Sequence, residues 1–172
     1  MKKKIFIEGQ NDYFEAYFGW QDGDLALLGL KEGYKNCADD LIDIALKKGS
    51  KGDIKTLDTY IFPILFCYRH SLEISLKQIY YCFYKQLPNG GHDLIKIYDI
   101  VKDEVINSLN NPDFINEVKK YKKSFIKYSI DDIDFNEIRN LLCELQGADN
   151  KADVWRYLMN KECDLYFTDS KF

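Results

Sequence analysis

Five side chains in this sequence have the types and spacing for acid–base and phosphate chemistry. Arg69, His70, Glu73 and Lys77 fall within one apolar run, and His92 follows after a glycine turn. Arg69 and Glu73 are four residues apart, as are Glu73 and Lys77, and His70 lies seven before Lys77, so on a helix they share one side. His70 and His92 are the chain's two histidines. Imidazole is the side chain best suited to moving a proton near neutral pH. His70 or His92 as a proton acceptor or donor, Arg69 or Lys77 against developing negative charge, and Glu73 orienting an Arg or His make a coherent set. Arg156 supplies a further cation if the tail folds back.

The element that must carry this set is long. Residues 60–86 read as a central helix, apolar on most sides, with Pro63 tolerated in its first turn. Charged groups rarely enter such surroundings unpaired, so the stripe must meet a partner, a groove or water. The competing reading is an ion-pair ladder or a solvated face, in which Glu73–Lys77 contributes about 0.3–0.5 kcal/mol. His92 alone is equally a polar residue capping the free amides of the next helix. Convergence of Arg69, His70, Glu73, His92 and Arg156 on one open cleft favours a site. Burial of Glu73 in ion pairs with no adjoining cavity favours a ladder.

The neighbouring elements follow from period and punctuation. Leu27, Leu30, Tyr34, Cys37 or Ala38, Leu41 and Ala45 mark a helix from Asp24, capped by Asp22 or Asp24 and stopped by Gly49. Residues 49–56 read as a connector. Pro88-Asn89-Gly90-Gly91 breaks the central helix, and His92-Asp93 opens the next, with Leu94, Tyr98, Val101, Val105 and Leu109 inward. Asn111-Pro112 starts another, with Phe114, Val118, Tyr121, Phe125 and Tyr128 inward and a lysine-rich face at 119–127, which reads as solvated. Asp134 caps a last helix through Leu145, ending at Gly147. Residues 3–7 read as a short strand, 11–23 as an aromatic irregular segment or short helix, and Val154–Leu158 with Asp164–Phe167 as a hairpin around Asn160-Lys161.

Composition narrows the class. The chain has 172 residues, 46% of them hydrophobic, which suits one folded domain and excludes a disordered chain. A net charge of −4 argues against an unspecific grip on nucleic acid, though not against a local basic patch. Five widely spaced cysteines without a C-x-x-C pair point to a reducing, cytoplasmic setting. No apolar run reaches the ~20 residues of a membrane span. Phosphate-binding glycine loops, zinc spacings and nucleophile elbows are absent, so no cofactor or metal is expected.

Tyr68-Arg69-His70-Ser71-Leu72-Glu73-Ile74-Ser75-Leu76-Lys77, then Gly91-His92-Asp93-Leu94, then Trp155-Arg156-Tyr157 resemble a group of small bacterial helical proteins similar to the HEPN superfamily. The resemblance runs over roughly residues 24–158. It implies a mainly α fold, an antiparallel bundle of four to five helices with short terminal strands or irregular segments, often dimeric. Residues 24–147 would be the helical body of one domain spanning 1–172, and 1–23 and 148–172 its packed extensions. It also implies a setting in bacterial defence or toxin–antitoxin systems, where many members are metal-independent endoribonucleases. Their active site is an Arg and a His four to six residues apart, usually completed by a second protomer. Here none of Arg69, Arg139 and Arg156 is followed by His at that spacing, and the adjacent Arg69 and His70 point about 100° apart on a helix. The expectation is a HEPN-like binding or regulatory module whose ligand is RNA or a partner protein. Arg69, His70, Glu73 and His92 form its reactive set, and Lys77, Arg156 and Tyr157 its binding residues. An endoribonuclease with a non-standard His/Arg site is the alternative.

Overall fold

The computed structural model describes residues 22–113, 116, 133–149, 152–157 and 159–166. The described part is mainly helical. Helix α1 spans Gly23–Gly49, α2 Ile54–Tyr84, α3 Leu94–Ile100 and α4 Phe135–Ala148. One π-helical turn (Val101–Ile106) and one 3₁₀ turn (Asn107–Asn110) prolong α3. The expected strand at 3–7, the aromatic segment before Asp22, and the inward and lysine-rich faces at 114–128 lie outside the described residues.

Each helix begins where a carboxylate closes its free amides. Asp22 accepts from Leu25 N, Asp53 from Thr56 N, Asp93 from Lys96 N, and Asp134 from Asn136 N and Glu137 N. The Asp53 cap corrects the sequence reading of α2. The helix starts six residues before Tyr60, so Pro63 sits in its third turn and not its first. Pro63 is exposed there, and a solvent-facing position lets water take the carbonyl that the missing N–H leaves unpaired.

Helices α1 and α2 pack as an antiparallel pair. The Tyr68 hydroxyl donates to Asp39 Oδ1 (2.6 Å), and Ser71 Oγ donates to the Lys31 carbonyl (3.1 Å). Ala38 and Ala45 are buried in this seam, where small side chains let the backbones approach. On another side of α2, Tyr80 packs with Ile97, Val101 and Val105, as the inward pattern of α3 requires. Leu94 and Tyr98 meet Leu142 of α4. Two polar clasps fix α4. Arg139 grips Asp99 with both Nε and Nη2 at 2.8 Å, and Gln146 bonds Asp93 and the Ile95 amide.

The turn that presents His92 depends on its glycines. A Cβ on Gly90 would meet Ile97 Cγ1 at 2.5 Å, and Gly91 has φ +60°. The tail departs from the expected hairpin. Val154, Trp155 and Arg156 form a turn, because Asp153 O accepts from the Arg156 and Tyr157 amides. Among the described residues only one antiparallel bridge, Met159 with Leu165, remains of the expected strands. No described helix is long and apolar enough to cross a membrane.

Asp53 bonds both the Thr56 amide (3.0 Å) and hydroxyl (2.7 Å). Asp53→Ala should therefore destabilise the protein by about 1 kcal/mol in urea unfolding with an unchanged m-value. An Asp53→Ala midpoint equal to that of the parent would place the start of α2 elsewhere.

Candidate functional site

Glu73 organises the middle of α2. Its side chain is 2% exposed, and three donors converge on it. Arg69 Nη1 reaches Oε2 at 3.1 Å, Lys77 Nζ reaches Oε1 at 2.7 Å, and His92 Nδ1 lies 2.9 Å from Oε1. Burial works to raise the Glu73 pKa, but the hydrogen bond and charge of Lys77, together with His92, outweigh it and hold the carboxyl below its ordinary value. An ionised carboxylate only accepts, so Nδ1 of His92 is the protonated nitrogen of this contact. In the neutral ring, Nε2 is then the atom able to take a proton.

Arg69 is 1% exposed and points into the protein. Besides Glu73 it donates from Nη2 to the His92 carbonyl (2.8 Å), and its Nε faces Asp149 Oδ2 at 3.5 Å. That last contact is an ion pair without a hydrogen bond. Asp149 itself is completely buried. Its Oδ1 accepts from the Asp153 amide (2.7 Å) and the Val154 amide (3.1 Å). One carboxylate thus balances the central arginine and turns the chain so that residues 152–156 fold back over α2. Sequence reading missed Asp149, which it placed in the packed extension 148–172 and gave no role. The available signal was an aspartate just past a helix end, four residues before a second aspartate, which suits a side chain that closes a turn on backbone amides.

The returning turn closes a cavity of about 250 Å³ lined by Tyr34, Phe66, Arg69, His70, His92, Ala152 and Arg156. Both histidines and two of the chain's three arginines therefore line one space. His70 lies parallel to Phe66 with ring centroids 5.6 Å apart and perpendicular to Tyr34 with centroids 4.5 Å apart. Burial lowers the His70 pKa, so this ring is neutral at pH 7. His92 is 64% exposed at the opening. Arg156 sits 5.9 Å from the Phe66 centroid and 5.4 Å from that of Tyr157. It is held by the Ala152 carbonyl (2.6 Å) and Asp153 Oδ1 (2.7 Å).

Of the residues singled out by sequence, Arg69, His70, His92 and Arg156 meet at the cavity, with Glu73 beneath them. Lys77 bonds Glu73 and does not line the space. Tyr157 is exposed beside Arg156, also outside it. His70 leaves the Arg69–Glu73–Lys77 row and faces the aromatic wall, as a one-residue step of about 100° requires. Tyr34 and Phe66, which follow a core pattern in sequence, form that wall. Three cations (Arg69, Lys77, Arg156) oppose three carboxylates (Glu73, Asp149, Asp153), so the charges of these six groups balance.

Both lowered pKa values tie stability to pH in one direction. The unfolded chain takes up protons first, at about 6.5 for His70 and 4.5 for Glu73, so acidification favours unfolding. The His70 contribution is complete above its unfolded value and fades as pH falls toward its folded value; that of Glu73 fades below 4.5. Urea titrations across pH should show stability declining from about pH 6.5 downward. His70→Phe, which keeps a ring on Phe66, should remove the upper part of the decline and leave the carboxylate part. An unchanged upper limb in His70→Phe would contradict this account.

Comparison with protein-family models, with curated proteins and with solved structures finds no match for this chain.

Proposed function

We propose that this protein is a HEPN-like binding module whose cavity recognises a phosphate group of RNA. The observation that carries the proposal is the gathering of both histidines with Arg69 and Arg156 around a single opening. A ladder of ion pairs needs no cavity, and here one adjoins it. At about 250 Å³ the space is smaller than the ~300–1,000 Å³ of typical small-molecule pockets. It suits a phosphate with its sugar, presented by a longer chain, better than a whole cofactor. Arg69 is buried beneath the surface and Lys77 lies outside the cavity, whereas Arg156 lines it and is part-exposed, so Arg156 is the cation placed to meet the ligand, and His92 Nε2 the second contact. The aromatic wall of Tyr34, Phe66 and His70 offers flat surface to a sugar or base. The suggested setting, a bacterial defence or toxin–antitoxin system, rests on the sequence resemblance alone.

A second reading is metal-independent RNA cleavage. It is favoured by two imidazoles in different surroundings at one opening: His70 is half-buried against an aromatic wall, and His92 is exposed and hydrogen-bonded to Glu73. A neutral imidazole accepts the 2′-hydroxyl proton, and a protonated one donates to the leaving 5′-oxygen. Arg156 would then face the charge that develops on phosphorus.

Fluorescence anisotropy with a labelled single-stranded RNA measures the first reading. Loss of one charge-assisted contact in Arg156→Ala should weaken binding about 10- to 100-fold, and His92→Ala should also weaken it. Inorganic phosphate should compete. Equal affinity of parent and Arg156→Ala would refute the assignment, and competition by an acidic peptide alone would turn it toward a protein ligand. Incubation of the same RNA in EDTA decides the second reading: cleavage that disappears in His92→Ala and His70→Ala establishes it, and intact RNA excludes it.

A further inference from the structure

The seam between α1 and α2 holds two thiols that the cavity does not use. Cys37 on α1 is exposed, and Cys67 on α2 is buried. The cross-helix contacts fix their register. Tyr34 meets His70, Asp39 meets Tyr68, and Gly49 approaches Leu57. In an antiparallel pair each step forward along one helix matches one step back along the other. Three steps from the Tyr34–His70 contact bring Cys37 opposite Cys67. The side chains agree: burial, then the neighbouring Cys37 sulfur within hydrogen-bonding reach, push the Cys67 thiol up to about 11. Buried Ala38, beside Cys37, keeps the seam narrow.

We infer that Cys37 and Cys67 form a reversible disulfide that clamps α1 to α2 beside the cavity. The reaction has a natural order. Exposed Cys37 meets a peroxide first. Its thiolate sulfur attacks one peroxide oxygen, the O–O bond breaks, and the released hydroxide takes up a proton to become water. Cys37 is left as a sulfenic acid. Cys67 is a poor thiolate and does not compete for the peroxide. Its sulfur attacks the Cys37 sulfur, the S–O bond breaks, and the hydroxyl leaves as water with the Cys67 proton. Two thiols lose two electrons, and one peroxide becomes two waters. An external dithiol reverses the bond by exchange. Closing it joins the helix that carries Tyr34 to the turn of α2 that carries Phe66 and His70, and so fixes two walls of the cavity to each other.

The test treats the full-length protein with hydrogen peroxide, alkylates the remaining thiols, digests without reduction and maps the peptides by mass. The expected product is a linked pair containing Cys37 and Cys67, lighter by about 2 Da than its two thiol peptides and separated by dithiothreitol. In Cys67→Ser, Cys37 should instead persist as a sulfenic acid captured by a 1,3-diketone probe. Cys37→Ser, altered at an exposed position, should fold normally and leave Cys67 alkylatable after peroxide and denaturation. The inference fails if parent protein yields sulfinic Cys37 with Cys67 still alkylatable. It fails equally if either thiol links to Cys82, Cys143 or Cys163 in preference to the other.

Discussion

A carboxylate buried in the middle of a long apolar helix is tolerable only if its charge is answered on the spot. Glu73 is answered by Arg69, Lys77 and His92, and Arg69 in turn by Asp149. Removing a single partner of such a group costs about 3–5 kcal/mol, because a buried charge is then left alone. The network therefore constrains three separate stretches of chain. It holds the glycine turn by bonding the His92 carbonyl and ring, it holds the C-terminal return through Asp149, and it keeps α2 central despite its charges.

The same network explains why the cavity exists. Arg69 and Glu73 draw the turn and the tail toward α2 but satisfy each other below the surface. The side chains left facing outward are the ones with unused capacity: an imidazole nitrogen of His92, the ring of His70, and the guanidinium of Arg156. A buried ionic core of this kind adds little net stability compared with apolar packing. Its evident product here is position, since it sets a histidine and an arginine from distant parts of the sequence at one opening. The proposed recognition of phosphate uses those positions and asks nothing further of the fold.

Much of this was legible in the residues, and the limits have physical causes. The four-residue spacing of Arg69, Glu73 and Lys77 predicts their row on α2, and helical geometry delivers it. The aspartates before each helix mark the starts of α3 and α4, because capping is a local interaction. The start of α2 was misread because Pro63 suggested a first turn, whereas a solvent-facing proline is tolerated further in. The tail was misread for the opposite reason. Val154–Leu158 read as a strand, but the amides of Asp153 and Val154 are taken by Asp149, a side chain itself paired with distant Arg69. Tyr34 and Phe66 illustrate a further limit: periodicity separates inner from outer faces and does not tell a packed core from the lining of a cavity.

The central claim is that ionised Glu73 fixes the His92 ring through Nδ1 and leaves Nε2 for the ligand. Nitrogen-15 NMR of the imidazoles tests it directly, and with two histidines in the chain the assignment is simple. In its neutral form the His92 ring should be the Nδ1–H tautomer with a downfield, exchange-protected ring proton, and Glu73→Gln should abolish that signature while leaving the His70 signals in place. A His92 ring that is Nε2–H or averages freely between tautomers in the parent protein would contradict the account.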